Sequence, residues 1–405
     1  MVNGLVAEKI LLTERGEQWL SNFEDKDKAP ARELVASLTL VSALEFERKL
    51  VAKIEEVAEA TAGLVALYAV RELVFGEDIF PDDGGEVSAT PRGSDIGSEG
   101  RVATIIRNLV RERSDKFVNH PTICQLRDSK IPNIFFVDDF IGSGKRVTDY
   151  INNFYSSPTI KSWSSYQKLK FCVVAYSGTG GGRSRIGRHK VRPKVIFERS
   201  CPSIGTTEWK SKGQAAALEK LCKRYAKKQK MRCPLGFGKV GALMVFEHSC
   251  PNNCPQILWG DGSSWKPLFV GKSISSEVKQ FFPPEIVRND PVSALVAAGE
   301  SRIAKSGRDV IARPLPHEWI IVLSLVSRSI RKIDALENAT NMNHAAASKV
   351  IEDCISHGLI TPRLRLTDRG AQELKATRKI ALTAGKKLPK EGEEYYYPQS
   401  LRSRN

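Results

Sequence analysis

Between residues 130 and 270 short apolar runs alternate with amphipathic helical stretches, and few architectures accept that pattern. Ile134 to Val137, Leu169 to Tyr176, Val195 to Phe197 and Leu243 to Phe246 have strand length and are rich in β-branched and aromatic residues. Thr206 to Lys228, between the last two, carries helical periodicity. The alternation predicts an α/β fold with a mostly parallel sheet and covering helices, and ligands are expected beyond the carboxyl ends of its strands.

The flanks differ. Residues 1–75 read as a helical N-terminal module, with a capping box at Ser42 to Glu45 and apolar positions Leu44, Leu50, Ile54 and Val57 at roughly helical spacing. The α/β domain is expected over 76–275. It opens on a Gly, Ser, Asp and Pro-rich loop to about Gly100, which precedes a helix from Val102 to Arg113. Residues 276–313 read as a linker with one small apolar helix (Val292 to Ala298), and 381–405 as a polar tail with a Tyr395-Tyr396-Tyr397-Pro398 patch.

Residues 314–380 have their own order. A helix from Glu318 to Arg328 and a short one near Ile333 to Ala339 precede a helix from Asn343, an N-cap, to His357, with Gly358 as its stop. Leu359-Ile360 and Leu364 to Leu366 read as two short strands, and Thr367-Asp368-Arg369-Gly370 opens a last helix. This order resembles a winged helix-turn-helix domain. Asn343, His344 and Lys349 are its candidate contacts on the third helix, with Arg363 and Arg365 in the wing. Ala345-Ala346-Ala347 leaves that helix poor in base-reading side chains, so backbone or shape recognition, or a protein contact, stands beside sequence-specific readout.

The chemistry concentrates at residues 134–146, where Ile-Phe-Phe-Val ends on Asp138 and Asp139 and then enters Gly142-Ser143-Gly144-Lys145-Arg146. Adjacent carboxylates at a strand end can accept hydrogen bonds from ribose hydroxyls or hold Mg²⁺ through water. The glycines allow backbone amides to approach a phosphate, Ser143 adds a donor, the helix start adds positive potential, and Lys145 and Arg146 add full charges. The bland alternative is an acid pair that only caps a helix. A second glycine-rich stretch, Ser177 to Arg185, reads either as a flexible connector or as a loop from which Arg183 and Arg185 reach a pyrophosphate.

The 134–146 stretch resembles the signature of the phosphoribosyltransferase (PRTase) family: four apolar residues, two acids, and a Thr-Gly-x-Thr turn for the 5-phosphate of phosphoribosyl pyrophosphate (PRPP). The resemblance implies that Asp138 and Asp139 bind the ribose hydroxyls, with Mg²⁺ accompanying the ligand, and that Gly142, Ser143, Gly144, Lys145 and Arg146 form the phosphate loop. Ser143 replaces the first threonine conservatively. Arg146 stands in the place of the second and exchanges a hydroxyl for a long cation. Pro251-Asn252-Asn253 before Ile257-Leu258-Trp259, with the order of domains, resembles PRTase-like effector proteins of bacterial conflict systems, among them retron accessory proteins. That wider resemblance implies an antiphage effector acting on PRPP or a nucleotide and restrained by a reverse transcriptase and its DNA-RNA product. Purine repressors, which join a winged helix to a PRTase domain and sense PRPP without turnover, give a second reading. An adaptor with a vestigial site is a third.

Charge and cysteine use bound the rest. Residues 1–155 carry 19 basic and 26 acidic side chains, residues 156–250 carry 20 and 4, and residues 251–405 carry 23 and 16. The basic middle concentrates phosphates, as nucleic acid or as small molecules, although Lys223, Arg224, Lys227, Lys228 and Lys230 equally suit a solvated helix face. Eight dispersed cysteines do not form a disulfide framework. Cys233, His248, Cys250 and Cys254 raise a zinc site, against ordinary thiols. No apolar run approaches the ~20 residues needed to span a bilayer, so no membrane segment is expected. The acidic start lacks the look of a secretory signal, and the cytosol is the expected compartment.

Overall fold

A computed structural model describes residues 7–81, 85, 87–89, 98–209, 211, 213–282, 295, 298–300, 303–304, 315–331, 333, 336 and 344–384. The chain divides into two compact units, residues 1–289 with 332–349, and residues 290–331 with 350–405.

Five parallel strands form the central sheet: β2 (Val65–Ala69), β3 (Phe117–Asn119), β4 (Asn133–Ile141), β5 (Lys170–Gly178) and β6 (Lys194–Ser200), in spatial order β3-β2-β4-β5-β6. From β2 the chain first steps outward to β3. It then returns to β4 and continues the other way, so direction reverses between β2 and β4. The crevice at the carboxyl ends of such a strand pair is where parallel sheets bind ligands. β4 is the middle strand and is buried along its whole length, as its continuous apolar run requires when both faces are covered.

Helices cover both faces. On one side α3 (Ala43–Glu59) and α4 (Ser98–Glu112) enclose Phe135, Val137, Val174 and Tyr176, and α9 (Gln214–Lys228) joins the same apolar cluster by packing on residues 25–36 and 256–258. On the other, α5 (Ile123–Asp128), α6 (Lys145–Phe154), α7 (Pro158–Ser165) and α8 (Gly180–Gly187) enclose Ile134, Phe136, Val173 and Ala175. Phe136 stacks on Phe171 with ring centroids 6.2 Å apart, and Phe154 meets both rings edge-on. Offset and edge-on pairs of this kind favour one arrangement of the layer.

The first 75 residues, expected to be helical, contribute strands as well. α1 (Glu14–Leu20) and α2 (Asp25–Ala36) lead into β1 (Thr39–Val41), which pairs in parallel with β7 (Met244–Phe246) in a separate two-stranded sheet, and β2 belongs to the central sheet. Leu243 to Phe246 therefore does not extend the central sheet, which the apolar run alone had no means of showing. Trp19 joins distant chain segments, donating to the Ile257 carbonyl at 2.7 Å. The Ser42 hydroxyl caps α3 by accepting from the Glu45 amide. Leu50 and Ile54 are buried as expected, whereas Leu44 is exposed and Phe46 takes the inward position.

In the second unit, α11 (His317–Ser327) is apolar nearly all round and deeply buried. α12 (His344–Ser356), which crosses from the first unit into the second after Lys349, ends at Gly358, whose φ is +67°. The expected two-stranded wing is reduced to one antiparallel bridge, Ile360 to Leu366, before α13 (Asp368–Ala384). The Thr367 hydroxyl donates to the Gly358 carbonyl and accepts from the Gly370 amide, which fixes the wing to the start of α13. α10 (Ser276–Lys279) lies in the expected linker. Gly93 to Gly97, most of the Ile333 to Ala339 helix, most of the Val292 to Ala298 helix, Asn343 and residues 385–405 lie outside the described residues. No helix among the described residues is long and apolar enough to cross a membrane.

Candidate functional site

Asp138 and Asp139 stand near the carboxyl end of β4, beside the reversal point. Both are buried, and they are not displayed at an open rim. Arg146 turns back from the first turn of α6 onto them: its Nη2 donates to Asp138 Oδ1 at 2.6 Å and to Asp139 Oδ1 at 3.2 Å. Its Nη1 donates to Glu99 Oε1 at 3.3 Å, from the start of α4. Asp139 Oδ2 faces His248 Nε2 at 3.6 Å, with the imidazole between the rings of Phe46 and Phe246. Asp138 Oδ2 is buried without a hydrogen-bond partner, and so is Ser177 Oγ at the end of the neighbouring strand.

The two carboxyls are driven apart. Burial pushes Asp138 well above the usual carboxylate range despite the Arg146 charge, and the adjacent Asp139 adds to the rise. Burial also opposes ionisation of Asp139, but His248 and Arg146 outweigh it and hold that carboxyl far below its ordinary value. The Arg146 guanidinium is kept charged by Asp138, Asp139 and Glu99 against its own desolvation.

The turn after β4 has the shape expected of a phosphate loop. Gly144 adopts a φ of +73° as the N-cap of α6, a conformation that strains any side chain. Gly144 itself has no side chain to cap α6, and the Ser143 hydroxyl accepts from the Lys145 amide at 3.4 Å. Ser143 is half-buried, and Lys145 is exposed and paired with Asp149 one turn along. Two other segments close over the turn. A Cβ at Gly182 would lie 2.6 Å from the Gly142 carbonyl oxygen, so only glycine permits this approach of α8. The Asn253 amide lies against Gly142 and donates to the Phe237 carbonyl, which brings the 251–253 segment to the site.

The second glycine-rich stretch is not a loop. Ser177 and Gly178 finish β5, the Thr179 hydroxyl caps α8 by accepting from the Gly182 amide, and residues 180–187 are helical. Thr179 also donates to the Gly142 carbonyl at 2.6 Å. A capping threonine before three glycines overrides their flexibility once the helix packs. Arg183 lies over the Phe197 ring at 4.8 Å, and Arg185 is exposed.

A family model described as PRTase-CE matches residues 17–270, well over half of the chain. The chain belongs to the PRTase-CE family. A second model, described as wHTH-PRTase associated, matches residues 320–403, so a winged helix follows the PRTase domain. No curated protein and no solved structure matches the chain. In this PRTase-CE protein, Lys349, Arg363 and Arg365 of the winged helix are exposed. His344 opens α12, but its side chain, like Asn343, lies outside the described residues.

Glu99, His248 and Asn253 were not assigned to this site from the sequence. Glu99 lies 47 residues before Arg146, in a glycine-rich stretch. His248 carried a signal only for zinc. Away from these contacts, Arg71, two residues past the end of β2, is buried and pairs with both oxygens of Glu77 at 3.0 and 2.6 Å. Asn153 of α6 fastens that segment by donating to the Glu77 carbonyl and accepting from the Ile79 amide. The orphaned Asp138 Oδ2 fits a hydroxyl donor. The acid pair does not fit Mg²⁺ in this arrangement, because a guanidinium already bridges it.

Proposed function

We propose that the PRTase-CE domain binds PRPP or a ribonucleotide and that the protein is an antiphage defence effector. In this reading a reverse transcriptase and its DNA-RNA product hold it inactive, and release makes it toxic. One observation carries the ligand half. An unpaired, buried Asp138 oxygen stands beside a glycine-built turn whose N-cap residue, Gly144, has no side chain, which suits a ribose hydroxyl next to a phosphate ester. Mg²⁺ comes with the ligand's phosphates in this reading and neutralises their charge. The chain's own part is to orient the ribose and to stabilise positive charge that develops on it, which needs no side-chain nucleophile.

The partner half is supported by the winged-helix match and by exposed cations. Lys349, Arg363 and Arg365 suit phosphate contacts. On α9, Arg224 and Lys228 are engaged by Asp27 and Glu24, and Lys223 by Glu219, with Lys220, Lys227 and Lys230 exposed. The basic helix thus serves in part to hold α2, and its remaining charge is available to nucleic acid.

The hold of Arg146 on one oxygen of each aspartate favours a second reading, a PRPP-responsive winged-helix regulator that senses the ligand without turnover. Two measurements separate the possibilities. Calorimetry with PRPP and ribonucleotides should show binding that Asp138→Asn with Asp139→Asn abolishes, and equal affinity in that double variant rejects the site. Expression without a partner should harm cells and the same variant should rescue them, whereas harmless expression with selective promoter binding supports the regulator.

A further inference from the structure

One nitrogen holds the acid pair. Arg146 Nη2 contacts Asp138 Oδ1 and Asp139 Oδ1 together, at 2.6 and 3.2 Å, the bridging position a divalent cation takes between two carboxylates. Glu99 anchors the other arm of the guanidinium, and His248 Nε2 faces the second oxygen of Asp139 at 3.6 Å. Asp138 Oδ2 is buried and has no hydrogen-bond partner. The neighbouring strand places Ser177, itself fully buried with an unpartnered hydroxyl, in register with Phe140, two residues beyond Asp138.

Mg²⁺ requires close, near-octahedral oxygen ligands and retains several waters. A guanidinium already bonded to the same oxygens fills that volume and repels a second cation. Removing Arg146 would leave the buried acid pair without its counter-cation, a deficit that a divalent metal held by carboxylate oxygens can fill.

We propose that Arg146 is the built-in cation of this acid pair, and that the site takes the hydroxyl edge of a ribose 5-phosphate ester without a divalent metal at the two aspartates. The ligand half rests on the ribose-phosphate reading above; the cation half does not. One ribose hydroxyl donates to Asp138 Oδ2, and the phosphate lies at the Gly142 to Gly144 turn. Any metal that enters does so on the ligand's own phosphates.

The test uses the full-length protein and Mn²⁺, a paramagnetic probe for Mg²⁺ sites, followed by electron paramagnetic resonance. Wild-type protein is expected to show no Mn²⁺ site tighter than about 1 mM, and Arg146→Ser to gain one at least about tenfold tighter that Asp138→Asn with Asp139→Asn removes. Arg146→Gln, which keeps a shorter, uncharged polar head, replaces the serine variant if that one does not fold. A tight wild-type Mn²⁺ site lost in the Asp138→Asn, Asp139→Asn protein overturns the proposal, and so does a folded Arg146 variant that gains no site. Ribose 5-phosphate calorimetry in EDTA and in Mg²⁺ is expected to agree within about twofold, whereas a tenfold loss in EDTA overturns the metal-free site. Absence of ribose 5-phosphate binding alongside the expected Mn²⁺ results rejects the ribose-phosphate reading and leaves the cation assignment standing.

Discussion

Arg146 Nη2 lies 2.6 Å from Asp138 Oδ1, across the glycine turn that joins β4 to α6. The residue placed to extend a phosphate loop thereby becomes the counter-ion of the strand end it follows. A loop cation and an acid pair that are separate in the sequence act as one charged unit in the fold.

Breaking that unit from one side should be costly. Arg146→Ala strips the counter-ion from the buried Asp139 carboxylate beside the Asp138 carboxyl and is expected to lower stability by about 3–5 kcal/mol. In an Asp138→Asn, Asp139→Asn background the same change should cost far less, because no uncompensated charge remains. Urea denaturation of the four proteins measures the coupling, and simple additivity would refute the proposed charge unit.

The approach of α8 to the phosphate loop depends on Gly182. A methyl group there would sit 2.6 Å from the Gly142 carbonyl oxygen, so Gly182→Ala should destabilise by about 1–3 kcal/mol. Gly181→Ala is the control. Its added carbon meets only the Thr179 hydroxyl, at 3.8 Å, and as a helical Gly-to-Ala change it should be neutral or stabilising by up to about 1 kcal/mol. Equal loss in both variants would contradict the close-packing account.

His120 should make stability fall in mild acid. Its Nε2 accepts from the Ala69 amide at 2.9 Å and its Nδ1 bonds Asn119 Oδ1 at 2.7 Å, so the fold uses the neutral ring. Burial, aided by the Arg71 charge, lowers its pKa from 6.5 to about 4. Between those values the unfolded chain binds a proton that the folded chain does not. Its contribution is therefore complete above pH 6.5 and lost as pH falls towards 4, a loss approaching about 3 kcal/mol. His120→Asn should flatten that part of the stability profile, and an unchanged slope would exclude His120 as its source.

Thiol reactivity should follow burial. All eight cysteines are free; Cys124 and Cys233 are half-buried, and the other six are buried. Burial pushes Cys172, Cys222 and Cys354 up to about 12. Native protein treated with Ellman's reagent at pH 8 should show two fast thiols, and the remaining six should react only after denaturation. A third fast thiol in the native state would contradict the packing around Cys201, Cys250 and Cys254.

What the chain's residues determined unaided was local. The run from Ile134 to Val137 reads as a buried strand, Gly142 to Gly144 as a turn, and Val147 to Phe154 as a helix, so strand, turn and helix follow in order. Hydrophobic period and backbone freedom act over a few residues and are written in them. The tertiary structure alone decided the pairings: β1 with β7 across some 200 positions, Phe46 inward where Leu44 was expected, and α8 in place of a loop. It also decided the charge of the site. Glu99, Arg146 and His248 meet at the acid pair from three separate segments. Whether a buried carboxylate stays free or finds a cation depends on which side chains the packing of distant helices brings within about 4 Å, a distance no local pattern encodes.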